Sequence, residues 1–515
     1  MSTGPPPAAD EPAIPFLARR GLFVAAAGFV LTEVLTSITS MPVSARHAAS
    51  VTVATAICWV LDAMPLGAAS LIPLALFPIL GVLPATTVAT TYFDDVNFLF
   101  LGGMVLGAGV ERWNLHRRIA LGVVRFIGTS PRRLVLGFLV GTAFVSMWIS
   151  NTATAVMMYP IALAVVESAG LDERDAGHRS FSAALLIVVA YGANIGGLAT
   201  PIGTGPNIVM LSQFSSGRPL GALPPPTFLG WMLGMVPIAA AACFVAWVLV
   251  TRIAIRVPAR MERLEETFAA QVQPRPWTKP EARIGLLFLA AVVLWVTRTL
   301  RFDGIEYGWL RFFPEELGRG IKLEDAITNT TIAVLFCVLA FALPSGDTEG
   351  TRLVDARAIR SVPWEMLLLL GAGSAIAASF RESRLSEWFG QALAPAASQW
   401  SALAIVAGIS VFVTFLSEVT SNTATAQVMI PLSVEIGRAA GIDPRLPALS
   451  VTLAASLAFM LPIGTPPNAI VFSSGRIPMA TMLRSGLVLN LCCVALATAA
   501  VFLWTSRSLG FGSAP

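Results

Sequence analysis

Charge is what this chain of 515 residues has least of, with 12% Asp, Glu, Lys and Arg, against roughly 25% in an ordinary soluble domain. Lysine is nearly missing, Lys279 and Lys322 being the only two. The charges that remain are bunched between long uncharged runs, and hydrophobic residues make up 55%. That excludes a soluble globular protein and marks a polytopic membrane protein in the lipid bilayer. The net charge of +4 is no nucleic-acid footprint, because the bases sit at the ends of apolar runs. No nucleic-acid partner is expected. The five cysteines, Cys58, Cys243, Cys337, Cys492 and Cys493, lie in apolar runs without a CxxC spacing. They read as small core- or lipid-facing residues, neither disulfides nor metal ligands. Three scattered histidines, His47, His116 and His178, cannot make a metal cluster and are expected in surface or interfacial roles. No HExxH or GxxxxGK[ST] segment occurs, so an enzyme is not expected.

What is present is apolar runs punctuated in a regular way. Residues 1–18 are rich in Pro and Ala and read as a disordered cytoplasmic tail. Arg19 and Arg20 then hold the start of a first span, 21–40, in the cytoplasm. The run 51–83 is too long for one crossing, and Pro65 and Gly67 divide it into two spans. Residues 97–110 return, followed by a basic amphipathic segment over 111–125. Between Arg133 and Glu167 no charge occurs. One helix of that length overshoots a bilayer and two full crossings do not fit, so a re-entrant hairpin over 134–166 is expected. A span over 181–212 is interrupted at 192–197 and again at 201–206, and 228–250 crosses back. The arginine-rich segment 251–283 reads as a cytoplasmic linker. Residues 284–515 repeat the plan: spans over 284–300, 327–343 and 364–380, an acidic outer loop over 302–326 and an amphipathic segment over 381–394. A hairpin over 400–436, a broken span over 446–472 and a last span over 484–505 follow.

Two short stretches organise this pattern. Ser150-Asn151-Thr152-Ala153-Thr154-Ala155 recurs 271 positions later as Ser421-Asn422-Thr423-Ala424-Thr425-Ala426. Ala199-Thr200-Pro201-Ile202-Gly203-Thr204-Gly205-Pro206-Asn207 is echoed by Met460-Leu461-Pro462-Ile463-Gly464-Thr465-Pro466-Pro467-Asn468. Counting crossings from a cytoplasmic start puts the first hairpin's entry inside and the second's outside, so the halves are inverted. The C-terminus then lies outside the plasma (inner) membrane. The fold class expected is an all-α polytopic membrane protein of about eleven transmembrane helices plus two re-entrant hairpins in two inverted repeats. Its binding site is expected at the repeat interface.

At a hairpin tip the first arm ends in unpaired carbonyls and the second begins with unpaired N–H groups. A cation suits the first and an anion the second. Ser146 and Ser417 each stand four residues before a tip serine, on the face towards the tip. Each half therefore offers a hydroxyl, an Asn side chain and broken-span carbonyls around one spot. Hydroxyl and carbonyl oxygens suit a hard cation such as sodium. No Lys or Arg lies in either motif, so an anion held there would depend on bound cations for positive charge, a physical basis for coupling. Small polar residues also serve plain helix packing, but paired motifs in matching places of inverted halves favour a site. Glu418, inside the membrane, serves either function or the backbone of the tip; Glu33 is expected near a helix end.

On these two motif pairs the sequence resembles the divalent anion/sodium symporter family, which includes dicarboxylate and citrate transporters. The resemblance implies a homodimer whose transport domain moves against a scaffold as an elevator. It implies two central sodium sites, one of Ser146, Ser150, Asn151 and Gly203 and one of Ser417, Thr420, Asn422 and Gly464. It also implies substrate carboxylates on Asn151, Thr152, Thr204, Ser421, Asn422, Thr423, Thr465 and Pro466. Ser417 and Gly464 stand where relatives have Thr and Ala, and Gly205 replaces a proline. The function expected is symport of a small dianion, most readily a C4-dicarboxylate such as succinate, malate or fumarate, with two or more sodium ions. A sodium-independent exchanger of the same fold, or citrate or sulfate as substrate, is the alternative; a passive channel is separated from these by uptake against a gradient.

Overall fold

A computed structural model describes residues 16–168, 175–215, 218–261, 276–299, 301–302, 305–306, 308–314, 316–317, 321–347, 350–397 and 399–506. Residues 1–15 of the expected tail and 262–275 of the expected linker lie outside the described residues. Among the described residues the regular structure is helical, apart from two short antiparallel ladders, 301–302 with 305–306 and 316–317 with 321–322, and an isolated bridge between Pro344 and Arg352.

Six described helices are long and apolar enough to cross a bilayer alone. The others pair up or stop short, where prolines and glycines interrupt the apolar runs. The first helix is Phe16–Ser37 and the second Val43–Val60. The second ends at Leu61–Asp62, Asp62 lying at a positive φ of 49°. The third pass is two pieces, Leu66–Ala69 and Ile72–Ile79. Asp94 caps the helix Asp95–Arg112 by accepting from the Asn97 N–H. The charge-free stretch folds as two helices, Pro131–Ser146 and Asn151–Ser168, with the serine–asparagine motif between them. Its counterpart is Ala402–Ser417 and Asn422–Ala439. The broken spans are Ala176–Gly197 with Gly205–Ser212, and Arg445–Ala455 with Pro466–Phe472.

These pieces cross over between the halves. Gly205–Ser212 of the first half packs on the second hairpin's Asn422–Ala439 arm, and Pro466–Phe472 of the second packs on the first hairpin's Asn151–Ser168 arm. With the helices Phe228–Val248 and Met479–Ser506 they form one bundle. The remaining helices make a frame around it, in which Asp95–Arg112 packs on Asn329–Ala342 and Lys279–Thr297. The amphipathic helices Leu115–Ile127 and Leu385–Ala397 each lie against a hairpin.

Two expectations are corrected. Gly192–Gly197 is no interruption: the helix runs unbroken from Ala176 to Gly197. Its glycines serve close approach instead, because a Cβ at Gly196 would lie 2.1 Å from the Ala143 carbonyl and one at Gly192 2.6 Å from that of Leu139. Small residues let backbones touch in this way. The histidines are not all superficial. His116 and His178 are buried, and the Val110 carbonyl accepts from the His116 ring. Burial pulls His116 below the usual imidazole range, and that carbonyl pulls it partly back. His47 alone is half-buried; it pairs with Glu33, one turn before the end of the first helix, at 3.0 Å.

Candidate functional site

Both hairpin tips and both broken spans meet at one open cavity of about 780 Å³. Its wall carries Ser150, Asn151, Thr152, Gly203 and Thr204 from the first half, and Thr420 to Thr423 and Gly464 to Pro466 from the second. Ser146 and Ser417 are fully buried just behind it. The residues expected to hold sodium and substrate are therefore at the cavity or immediately behind it.

The two tips are built alike. Ser146 Oγ lies 2.8 Å from Asn151 Oδ1 and 2.7 Å from the Ala193 carbonyl oxygen. Ser417 Oγ lies 2.7 Å from Asn422 Oδ1 and 2.7 Å from the Ala455 carbonyl oxygen. A hydroxyl has one proton, so it can donate to only one of its two neighbours. Three oxygens thus crowd together in each half with one proton among them, a set that a small hard cation stabilises. The notch behind Asn151 is made by Gly197, where a Cβ would come within 2.6 Å of Asn151 Oδ1. Thr420 differs from the rest: its hydroxyl contacts the Leu416 carbonyl at 2.8 Å and Thr425 Oγ1 at 2.6 Å.

The broken spans are held open by an asparagine each. Asn207 Nδ2 donates to the carbonyls of Gly197 and Thr200 at 2.9 and 2.8 Å. Asn468 Nδ2 donates to those of Ala458 and Leu461 at 3.2 and 3.0 Å. Glu418 is a backbone ligand. Its carboxylate accepts from the N–H groups of Phe459, Met460 and Leu461 and from Asn490 Nδ2, at 2.7 to 2.9 Å.

Four helices begin at the cavity, at Asn151, Gly205, Asn422 and Pro466. Helix starts carry partial positive charge, and at the two hairpin arms, which begin without proline, also N–H groups. The Pro466 helix opens on two prolines, and Thr465 Oγ1 accepts from its Asn468 N–H, so it contributes its dipole alone. Neither Ser421 nor Thr204 uses its side chain to cap the helix it precedes. Among the described residues the cavity wall includes no Lys or Arg, and its two acids, Asp62 and Glu111, lie at the ends of frame helices. Such an arrangement can hold an anion by dipoles and neutral donors, beside two oxygen nests suited to cations.

Sequence reading missed the partner of Thr465. Asn194 Nδ2 donates to Thr465 Oγ1 at 3.0 Å, tying the first half's broken span to the second's. A lone Asn in a charge-free run was the available signal. The apolar frame side of the cavity, with Trp59, Phe100, Met104 and Met366, has no counterpart in the repeat and left no trace in the motifs.

Known proteins match along nearly the whole chain. The family model described as the sodium:sulfate symporter transmembrane region matches residues 20–509. The sodium-dependent dicarboxylate transporter SdcS of Staphylococcus saprophyticus is 34% identical over 499 residues, 95% of this chain and 92% of that one. The protein of the same name from Staphylococcus aureus is 33% identical over 480 residues, 92% and 88% of the two chains. Among solved structures, Neisseria gonorrhoeae MtrF, from a class of antimetabolite efflux pumps, aligns with a TM-score of 0.59 at 14% identity, covering 98% of each chain. The Alcanivorax borkumensis YdaH transporter aligns at 0.52 and 16%, covering 82% of this chain and 89% of that one. At such identities the structures share the fold alone.

Proposed function

We propose that this chain, which belongs to the sodium:sulfate symporter family, is a sodium-coupled importer of C4-dicarboxylates. The observation that carries the reading is the doubled oxygen nest, Ser146–Asn151–Ala193 and Ser417–Asn422–Ala455, beside the starts of the hairpin arms and broken-span helices at one cavity with no basic side chain among the described residues. Sodium is cargo here. Ser146, Ser150, Asn151 and Gly203 hold one ion; Ser417, Asn422, Gly464 and the main chain at Thr420 hold the other. Each ion fixes its Asn side-chain oxygen, which turns the amide N–H groups of Asn151 and Asn422 towards the dianion. The substrate's carboxylates take these and the hydroxyls of Thr152, Thr204, Ser421, Thr423 and Thr465, with Pro466 shaping the floor. Without the ions, two negative carboxylates face only dipoles and unmatched lone pairs, so dianion binding requires sodium.

The wall residues Asp62, Glu111 and Ser361 belong to helix ends that the crossing count puts in the cytoplasm. This conformation is then open inwards. The bundle carries the site and the frame stays still, so transport is an elevator movement within a homodimer in the plasma membrane, with the N-terminus inside and the C-terminus outside.

The test is uptake of labelled succinate into proteoliposomes. One set has an inward sodium gradient and an empty lumen, the other no sodium and succinate preloaded inside. Uptake in the first set alone is the expected result. Uptake in the second alone would make the protein an exchanger whose tip hydroxyls serve the anion only, and uptake in neither would move the substrate to another anion, sulfate first.

A further inference from the structure

The frame helix Asp95–Arg112 has two unlike ends. Its last turn puts Glu111 on the wall of the open cavity. At its first turn the capping Asp94 carboxylate also accepts from Arg218 Nη2. Arg218 belongs to the bundle. It lies in the loop after Gly205–Ser212, and the next residue's carbonyl, Pro219, accepts from Arg438 at the end of the second hairpin. The loop is further fixed by the Leu220 N–H donating to the Gln213 carbonyl at 2.9 Å. The ion pair thus ties bundle to frame, and both side chains are withdrawn from solvent, 4% exposed for Arg218 and 14% for Asp94.

The helix between the two ends has 18 residues, about 27 Å at 1.5 Å per residue. Up to Glu111 its side towards the cavity carries no charge, only apolar side chains and glycines. Gly103 faces Ile202, and Gly107 faces the Trp148 carbonyl and Ile149, all parts of the first half's site. Apolar contacts with glycine permit sliding in a way that an ion pair does not. Among the described residues the bond is single: Arg218 Nη1 is buried there with no hydrogen-bond partner. A forked arginine–carboxylate pair is the stronger arrangement, so this one is built to open.

We propose that Asp94 and Arg218 are the outer gate of the transport cycle, an ion pair that closes bundle against frame while the cavity is open at the other end and that parts whenever the site moves outwards. The pair touches no substrate ligand; both are positioning residues acting through the place of the bundle. The inference rests on the elevator reading above. Arg218 cannot travel with the tips along a fixed helix and stay on its cap.

The test reads conformation and transport separately. Ser361, exposed on the cavity wall, is changed to Cys as a reporter, and its rate of labelling by a membrane-impermeant maleimide is measured in vesicles that present the cavity side. Asp94→Asn and Arg218→Gln are expected to slow labelling about threefold or more, as molecules leave the inward-open state. The conservative Arg218→Lys, which keeps the charge and leaves the Asp94 cap in place, is expected to label at the reporter's own rate. Unchanged labelling in both single variants would overturn the gate, as would an Arg218→Lys protein that labels as slowly as Arg218→Gln. Sodium-driven succinate uptake by the reporter protein keeps the two readings apart. Its loss sinks the symport proposal, whereas its persistence with unmoved labelling sinks the gate alone.

Discussion

The two halves of the molecule build the same nest on different supports. Serine, asparagine and carbonyl oxygen meet at 2.8 and 2.7 Å in the first half and at 2.7 and 2.7 Å in the second. Behind them the likeness ends. The first half's broken span stays helical to Gly197, and its exit turns close on themselves, Leu198 N–H to Ile195 and Ala199 N–H to Gly196. The second half's span ends at Ala455, about a turn earlier in the repeat, and leaves the N–H groups of Phe459, Met460 and Leu461 to Glu418. The residue in Glu418's place in the first half is Met147. Site geometry is thus shared at the two oxygen nests, while the means of satisfying the backbone around it differs. An acid inside a membrane protein is a functional candidate by default; here its four bonds explain it as support.

That contrast can be broken in stages. The largest effect is expected at the shared parts. Asn151→Ala or Asn422→Ala removes the side chain proposed to serve both ion and dianion, worth about 1.5–3 kcal/mol per bond to a charged group. Uptake should fall by about 100-fold or more in both, with unchanged elution on size exclusion; normal transport by either would displace the site. Next comes the half-specific support. Glu418→Ala strands four donors, at about 1–3 kcal/mol each when buried, so a loss of several kcal/mol is expected. Met147→Leu should cost less than about 1.5 kcal/mol. Thermal melting in detergent separates them, and equal melting temperatures would refute the assignment of Glu418 as support.

A smaller effect is expected from packing. Gly196→Ala forces a methyl against the Ala143 carbonyl, costing about 1–3 kcal/mol. The matching position in the second half, by the offset of the paired broken-span motifs, is Leu457, so the close approach belongs to the first half. A variant as stable as the parent in the same melts would show that the helices have room to part. Smallest is the removal of one hydroxyl from each nest. Ser146→Ala and Ser417→Ala should each weaken sodium activation about fivefold, the worth of roughly 1 kcal/mol. The sodium dependence of uptake measures both, and a change in only one would break the equivalence of the nests.

Much of this was legible because function here is written twice. A six-residue identity in two apolar runs located both tips, and the charge-free length between Arg133 and Glu167 dictated a hairpin. The glycines of 192–197 were misread because a glycine that ends a helix and one that lets two helices touch look alike in sequence. Only the neighbour, here Ala143, distinguishes them. His116 and His178 were misplaced for a related reason: a helix end buried against another offers carbonyls and carboxylates that a histidine can use, and spacing does not reveal the partner. Asn194 and the apolar frame wall depend on contacts between segments far apart in the chain, Asn194 with Thr465 above all. Nothing in local pattern encodes those.

The central claim is that the two nests carry sodium together with the dianion. Simultaneous uptake of radiolabelled sodium and radiolabelled succinate by the same proteoliposomes tests it most directly. At least two sodium ions should enter per succinate, the ratio falling when Ser146 or Ser417 is changed to Ala. Succinate entering without sodium, or at a ratio that neither change alters, would contradict the account.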